Sequence, residues 1–175
     1  MGKQTIDNLK AAYAGESMAR NYYSFFASVA KKEGWQEIAE IFEETARNEK
    51  EHAEVILKLL GGIKGSKENL LASIEKESYE WKDMYPEFER IAREEGETEA
   101  AAFFATVQQV EQHHAERFRK LLELLEEQKL LKKDQRVTWK CRECGYLHEG
   151  NEPPEKCPLC GHGKADYEPV VKDYI

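Results

Sequence analysis

Two Glu-x-x-His motifs, Glu49-x-x-His52 and Glu111-x-x-His114, stand where the helices of this chain need apolar residues. Residues 5–130 read as helix throughout, with one proline, Pro86, and glycines that fall mostly at turns. Gly34 ends the first segment, Gly61, Gly62 and Gly65 break the second, and the third ends near Gly96; Ser66 and Thr98 stand as N-caps. The pattern predicts helices near 5–33, 35–60, 67–95 and 98–130, each about 40–50 Å long. Pro86 is expected to kink the third. The short links at Gly34 and Gly96 predict two antiparallel hairpins, and hence a four-helix bundle.

Each segment carries an apolar stripe at helical spacing. Glu16 falls within the first stripe, Glu49 and His52 within the second, Glu77 and Glu80 within the third, and Glu111 and His114 within the fourth. Counted along the chain, all seven lie 15 to 19 residues from the hairpin glycine of their own pair. That is a band of roughly 6 Å of helix. The two halves look like an internal duplication. Five carboxylates gathered in a core without cations would unfold it. A metal pair removes the conflict, because carboxylates bridge hard cations and imidazole completes each shell. Glu-x-x-His puts both side chains on one helix face. One Glu from each of two helices, with Glu-x-x-His from each of the other two, is the di-iron or di-manganese pattern of ferritin-like bundles. The neighbouring acids Glu43, Glu44, Glu51, Glu54 and Glu116 read as solvated faces. His113 points about 100° away from His114.

After Lys133 the composition changes. Residues 134–175 hold all four cysteines and four of the five prolines. Short strands are expected at Arg136–Lys140 and Glu168–Val171. The domains are therefore read as 1–133, a helical bundle, and 134–175, a small cysteine domain. Cys141, Cys144, Cys157 and Cys160 form C-x2-C-x12-C-x2-C, a tetrahedral thiolate spacing. Zinc and iron both suit that spacing; the adjoining di-iron bundle favours iron. A glycine after each pair lets backbone amides turn toward sulfur. Trp139, Tyr146 and Tyr167 are candidates to shield the site, with His148 and His162 as bystanders.

The net charge of −8 argues against nucleic acid or an anionic membrane as the main partner. No apolar run approaches a transmembrane span. The start of the chain, MGKQTIDNLK, turns amphipathic at once. A cytoplasmic location is expected.

Together these residues resemble the rubrerythrin family over nearly the whole chain. The resemblance rests on Ala14–Ala19 (AGESMA), Glu49-x-x-His52, Glu77-x-x-Glu80 followed by Met84-Tyr85-Pro86, Glu111-x-x-His114 and the rubredoxin-like Cys141–Cys160 module, in family order. One departure is Lys76, where the family often has glycine before Glu77. The resemblance implies a peroxidase of an anaerobe or microaerophile that reduces hydrogen peroxide to water in oxidative-stress defence. It implies Glu16, Glu49, Glu77, Glu80, Glu111, His52 and His114 as ligands of a di-iron centre, with Glu80 a mobile carboxylate exchanging with His52. Tyr23 and Tyr85 would hydrogen-bond near that site. One further iron would sit at Cys141, Cys144, Cys157 and Cys160. Electrons would come from reduced pyridine nucleotide through a separate reductase, directly or by way of rubredoxin. A head-to-tail homodimer or larger homo-oligomer is expected. Two competing readings are iron oxidation and storage, and a non-enzymatic zinc-ribbon interaction module on a helical bundle.

Overall fold

The structure, a computed structural model, describes residues 1–170. By internal packing the chain divides into two compact units, Met1–Gly65 and the chain from Ser66 onward. The first unit is a hairpin of α1 (Lys3–Glu33) and α2 (Gln36–Leu59). Gly34 turns it at φ 86°, a left-handed conformation that glycine adopts without steric cost. Small residues let the two helices approach closely: Ala27 and Ala30 are buried with Ala39, and Phe42 packs against them. Tyr23 stacks on Phe42, with ring centroids 6.0 Å apart. Phe26 meets the same ring edge-on at 5.6 Å.

The second unit opens with α3 (Ser66–Tyr79), a π-helical turn (Glu80–Met84) and α4 (Tyr85–Glu94), and then α5 (Thr98–Glu126) returns along them. The kink expected at Pro86 takes the form of this π-turn. Proline has no N–H to donate and its ring crowds the carbonyl four residues back. A wider turn relieves both, and the Tyr85 N–H donates to the Glu80 carbonyl five residues earlier. Gly96, at φ 79°, makes the second hairpin turn. Ser66 and Thr98, expected as caps, are instead the first residues of their helices, and Glu97 takes the N-cap position of α5 without a side-chain bond.

The second hairpin repeats the first. Tyr85, Phe88 and Phe104 form a triangle with centroids 5.6 to 6.2 Å apart, as Tyr23, Phe26 and Phe42 do at 5.6 to 6.5 Å. Each of these pairs is offset by 62 residues, as are Gly34 and Gly96, Glu49 and Glu111, His52 and His114. Before the π-turn the offset is 61, relating Leu9 to Leu70 and Glu16 to Glu77. The π-turn therefore accommodates one inserted residue in the second copy.

Helix α5 ends at Glu126, four residues short of the expected limit. Gln128, at φ 56°, closes it in the left-handed conformation usually left to glycine. The Lys129 N–H then reaches the Leu124 carbonyl in a Schellman turn. A three-stranded antiparallel sheet follows, ordered β2-β1-β3: β1 (Val137–Cys141), β2 (Leu147–Gly150) and β3 (Tyr167–Pro169). Strand β2 had no counterpart in the sequence reading, and Val171 lies outside the described residues. Trp139 and Cys141 are fully buried, with Cys157 and Tyr167 beside them. The Trp139 indole N–H donates to the Gly150 carbonyl at 3.0 Å.

So small a domain has little apolar core beyond Trp139. Trp139→Ala should cost it about 3–5 kcal/mol. The expected outcome is early loss of the near-ultraviolet signal of the metal-depleted protein on heating, with the helical far-ultraviolet transition little changed. Unchanged melting in both would contradict this role.

Candidate metal centres

Two carboxylate–imidazole clusters lie at mid-helix, one in each hairpin. In the first, the donor atoms of Glu16, Glu49 and His52 come within 4.8 Å of one another. His52 Nδ1 is 2.8 Å from Glu49 Oε2 and 3.9 Å from Glu16 Oε1. In the second, Glu77, Glu111 and His114 gather within the same limit. His114 Nδ1 is 2.7 Å from Glu111 Oε2 and 3.5 Å from Glu77 Oε2. The match follows from the duplication, because α1 with α2 and α3 with α5 present the same positions.

Like charges meet in both clusters. Hydrogen bonding to Glu49, then burial, pushes the Glu16 carboxyl above the ordinary range. Burial first, then hydrogen bonding to Glu111, does the same for Glu77. A divalent cation would supply the positive charge these carboxylates lack, and six oxygen and nitrogen donors of this kind suit iron.

Glu80 is not part of either cluster. It lies in the π-turn, is mostly buried, and pairs with Lys76 Nζ at 3.7 Å. Its charge still reaches Tyr85. Burial, and then the carboxylates of Glu80, Glu111 and Glu77, raise the Tyr85 hydroxyl, so it keeps its proton at neutral pH. Tyr23 occupies the equivalent place in the first hairpin, against Phe42.

The four cysteine sulfurs also come within 4.8 Å of one another. Cys141 and Cys160 are 3.7 Å apart, and Cys144 and Cys157 are 3.5 Å apart. These separations are far too long for disulfides. They match the ~3.8 Å edge of a tetrahedron with metal–sulfur bonds of about 2.3 Å. The same turn is used twice: Gly145 and Gly161 both sit at φ 77° and donate to the Cys141 and Cys157 carbonyls at 2.9 Å.

Backbone amides do turn toward sulfur, from Tyr146 to Cys144, from His162 to Cys160, and from Leu159 and Cys160 to Cys157. Burial alone would raise Cys157, but Tyr167 and these amides bring it down to about 6. At Cys160 the His162 amide favours thiolate, yet burial and the other three sulfurs push the group up to about 12. Four adjoining sulfurs cannot all carry charge without a cation among them. The buried Tyr167 hydroxyl has no partner of full hydrogen-bond geometry and is held protonated by burial and by Cys157. A metal-bound thiolate at Cys157 would give it an acceptor. His162 lies beside the site, with its Nδ1 3.3 Å from Cys160 Sγ, and is not one of the four grouped ligands.

Fold and donor sets define a class: a ferritin-like helical protein with a carboxylate–imidazole metal centre and a rubredoxin-like four-thiolate domain. The Rubrerythrin family profile matches residues 7–122, and that of the rubrerythrin rubredoxin-like domain matches residues 139–168. A putative rubrerythrin of Methanocaldococcus jannaschii is 43% identical, over 98% of this chain and 95% of that protein. The rubrerythrin of Nitratidesulfovibrio vulgaris is 42% identical, over 95% of this chain and 94% of its own length. Among solved structures, mixed-valence nigerythrin is 34% identical over 97% of this chain and 88% of that one, with a TM-score of 0.36. The chain belongs to the rubrerythrin family. Its cofactors are a di-iron centre and one iron in a rubredoxin-type four-thiolate site. It is accordingly a di-iron oxidoreductase that works with redox partners. No helix among the described residues is long and apolar enough to cross a membrane.

The oxidised protein should be red from thiolate-to-iron charge transfer, and Cys157→Ser should bleach it; a colourless native protein holding zinc at the cysteines would overturn the iron assignment there. The carboxylate cluster makes a separate prediction. The folded state favours protonated Glu77, so ionising it costs stability as pH rises through its raised value. Metal-depleted Glu77→Gln should therefore melt above metal-depleted wild type at pH 7. By calorimetry the gap should close below pH ~4, where the unfolded carboxyl is also protonated. A gap that persists there would point to packing instead of charge.

Proposed function

We propose that this chain is a non-haem peroxidase that reduces hydrogen peroxide to water in oxidative-stress defence, in the cytoplasm of an anaerobe or microaerophile. The observation that carries the reading is the presence in one chain of two matched carboxylate–imidazole clusters and a four-thiolate site. On this reading residues 1–133 are the catalytic domain and residues 134–175 the electron-entry domain. Glu16, Glu49, His52, Glu77, Glu80, Glu111 and His114 hold the iron pair, and Cys141, Cys144, Cys157 and Cys160 hold the single iron.

When bound, the iron pair supplies the two electrons and the Lewis acidity that O–O cleavage needs. The protein supplies position and protons. Glu16, Glu49 and His52 in the first hairpin and Glu77, Glu111 and His114 in the second would hold that pair. Tyr85, kept protonated by burial and by Glu80, Glu111 and Glu77, offers a hydrogen bond toward the oxygen that departs as water. Tyr23 offers the matching hydroxyl from the first hairpin. Glu80 sits outside both clusters beside Lys76, which suits a carboxylate that changes places with His52 as the redox state changes.

Electrons reach the cysteines from reduced pyridine nucleotide through a separate reductase, directly or by way of rubredoxin. A homodimer, head to tail or with exchanged helices, would carry them across the subunit boundary. Leu131 packs on the cysteine-domain core, and the Lys133 N–H donates to the Asn151 carbonyl at 2.7 Å. Only residues 127–130 separate α5 from that docked segment, a reach of about 15 Å at most. His114 lies roughly 18 Å of helix before the end of α5. Both distances favour delivery to a partner's centre.

Stopped-flow mixing of the reduced protein tests the reading. Peroxide should reoxidise it much faster than oxygen does. Glu49→Ala should slow this at least about 100-fold, because a ligand is lost where even supporting residues cost 10–100-fold. The red thiolate–iron spectrum should survive. Equal rates with peroxide and oxygen would favour iron oxidation, and unchanged turnover in Glu49→Ala would remove the carboxylate centre as catalyst.

A further inference from the structure

The core of the cysteine domain contains a polar atom that packing does not explain. Strand β3 pairs with β1 in a register that sets Tyr167 opposite Cys141 and Pro169 opposite Trp139. Residues paired across an antiparallel ladder project from the same face of the sheet. Tyr167 therefore enters the core beside Cys141, where Cys157 meets it, and only 2% of its surface stays exposed. Its hydroxyl is sealed from solvent and has no aligned partner among the described residues. Burying such a group unpaired forfeits the bond it makes with water in the unfolded chain. Phenylalanine would fill the same space without that loss. The hydroxyl is a donor that lacks an acceptor, and the groups it faces are sulfurs. It reaches toward Cys157, with Cys141 and Cys144 close enough for their charge to be felt.

Hydrogen-bond donors are shared unevenly among the four sulfurs. Cys144 takes the Tyr146 amide, and Cys160 takes the His162 amide. Cys157 takes two amides, from Leu159 and Cys160, and has the phenol of Tyr167 beside it as a third donor. A donor on a metal-bound thiolate draws electron density from sulfur, so it favours the more negative state of the site. A four-thiolate iron is one unit more negative as Fe(II) than as Fe(III), and each added donor raises its reduction potential. The amides are fixed by the backbone turns. The phenol is a single side-chain oxygen delivered from another strand, so it is the donor that one substitution removes alone.

We propose that Tyr167 is a positioning residue that sets the potential of the four-thiolate iron, its O–H donating to the Cys157 thiolate and stabilising the reduced site. The step it governs is uptake of one electron from the external donor, Fe(III) to Fe(II). All four iron–sulfur bonds persist, and the tyrosine proton stays on its oxygen. An electron is then accepted readily and passes on only to a centre of higher potential, such as one that peroxide has just oxidised. This role presupposes the electron-entry reading of the domain and adds the side chain that tunes it.

The test compares full-length, iron-loaded wild type with Tyr167→Phe. Midpoint potentials are read from the red absorption during a mediated redox titration. Tyr167→Phe should lower the potential by at least ~28 mV, about a threefold loss in the reduced-to-oxidised ratio at 59 mV per tenfold for one electron. The thiolate-to-iron band should move to longer wavelength, because sulfur lone pairs without the donor lie higher in energy. An unchanged potential and band in a folded, red variant would overturn the proposal. Wild type loaded with cadmium-113 gives a second measurement that needs no substitution. By nuclear magnetic resonance, a slowly exchanging tyrosine hydroxyl proton should couple to the metal through the Cys157 sulfur. Coupling to the Leu159 or Cys160 amide without coupling to a tyrosine hydroxyl would overturn the hydrogen bond. A colourless native protein with zinc at the cysteines would overturn the electron-entry reading instead, and the cadmium spectrum keeps the two failures distinct.

Discussion

The rest of the helical structure depends on carboxylates that face one another. Glu16 with Glu49, and Glu77 with Glu111, bring like charges together at mid-helix, which raises the Glu16 and Glu77 carboxyls above their ordinary range. Nothing in the apolar stripes of these helices offsets that repulsion. The imidazoles of His52 and His114 do so partially, as the nearest positive or polarisable groups. A dication does so fully, and binding it only in the folded state adds its binding energy to stability. Metal bound at these carboxylates would therefore add to what the alanine-lined contact of α1 with α2 supplies. The acidity of the whole chain, net −8, has the same origin in part.

Duplication explains the geometry and its one irregularity explains the chemistry. A constant offset of 62 residues relates the aromatic triangles, the hairpin glycines and the Glu-x-x-His motifs. One inserted residue in the second copy drops the offset to 61 ahead of Glu80–Met84, and Pro86 makes the π-turn the cheapest place to absorb it. An α-helix there would have to find a donor that Pro86 lacks.

The helical hairpins were legible in the sequence because their signals are local: glycine at the turns, periodicity along the stripes and ionisable residues breaking them. The π-turn left only a faint trace, since Glu77 stands one residue farther from its hairpin glycine than Glu16 does. The early end of α5 left none, because Gln128 takes a left-handed conformation that glycine would have signalled. Strand β2 escaped notice because Leu147–Gly150 has one apolar residue, and pairing with β1 defines it, not alternation. The approach of His162 to Cys160 was hidden for a similar reason. Its contact with Cys160 depends on the turn at Gly161, which folds a residue two places on back against the sulfur.

On the proposed function, the departure from symmetry separates the two metals. Position for position, Glu80 of the second copy replaces Ala19 of the first. One half of the centre thus has a carboxylate that the other lacks, set in the widened turn and drawn toward Lys76. A perfectly duplicated site would give both metals the same ligands and no reason to respond differently to a change of charge. An extra carboxylate on one side breaks that equivalence. It adds negative charge next to Tyr85, which stays protonated, while Tyr23 has no acidic residue in the corresponding place. On that reading the helical half of the protein is symmetric in the residues that would bind a pair of like ions, and asymmetric at Glu80, where Ala19 stands in the first copy.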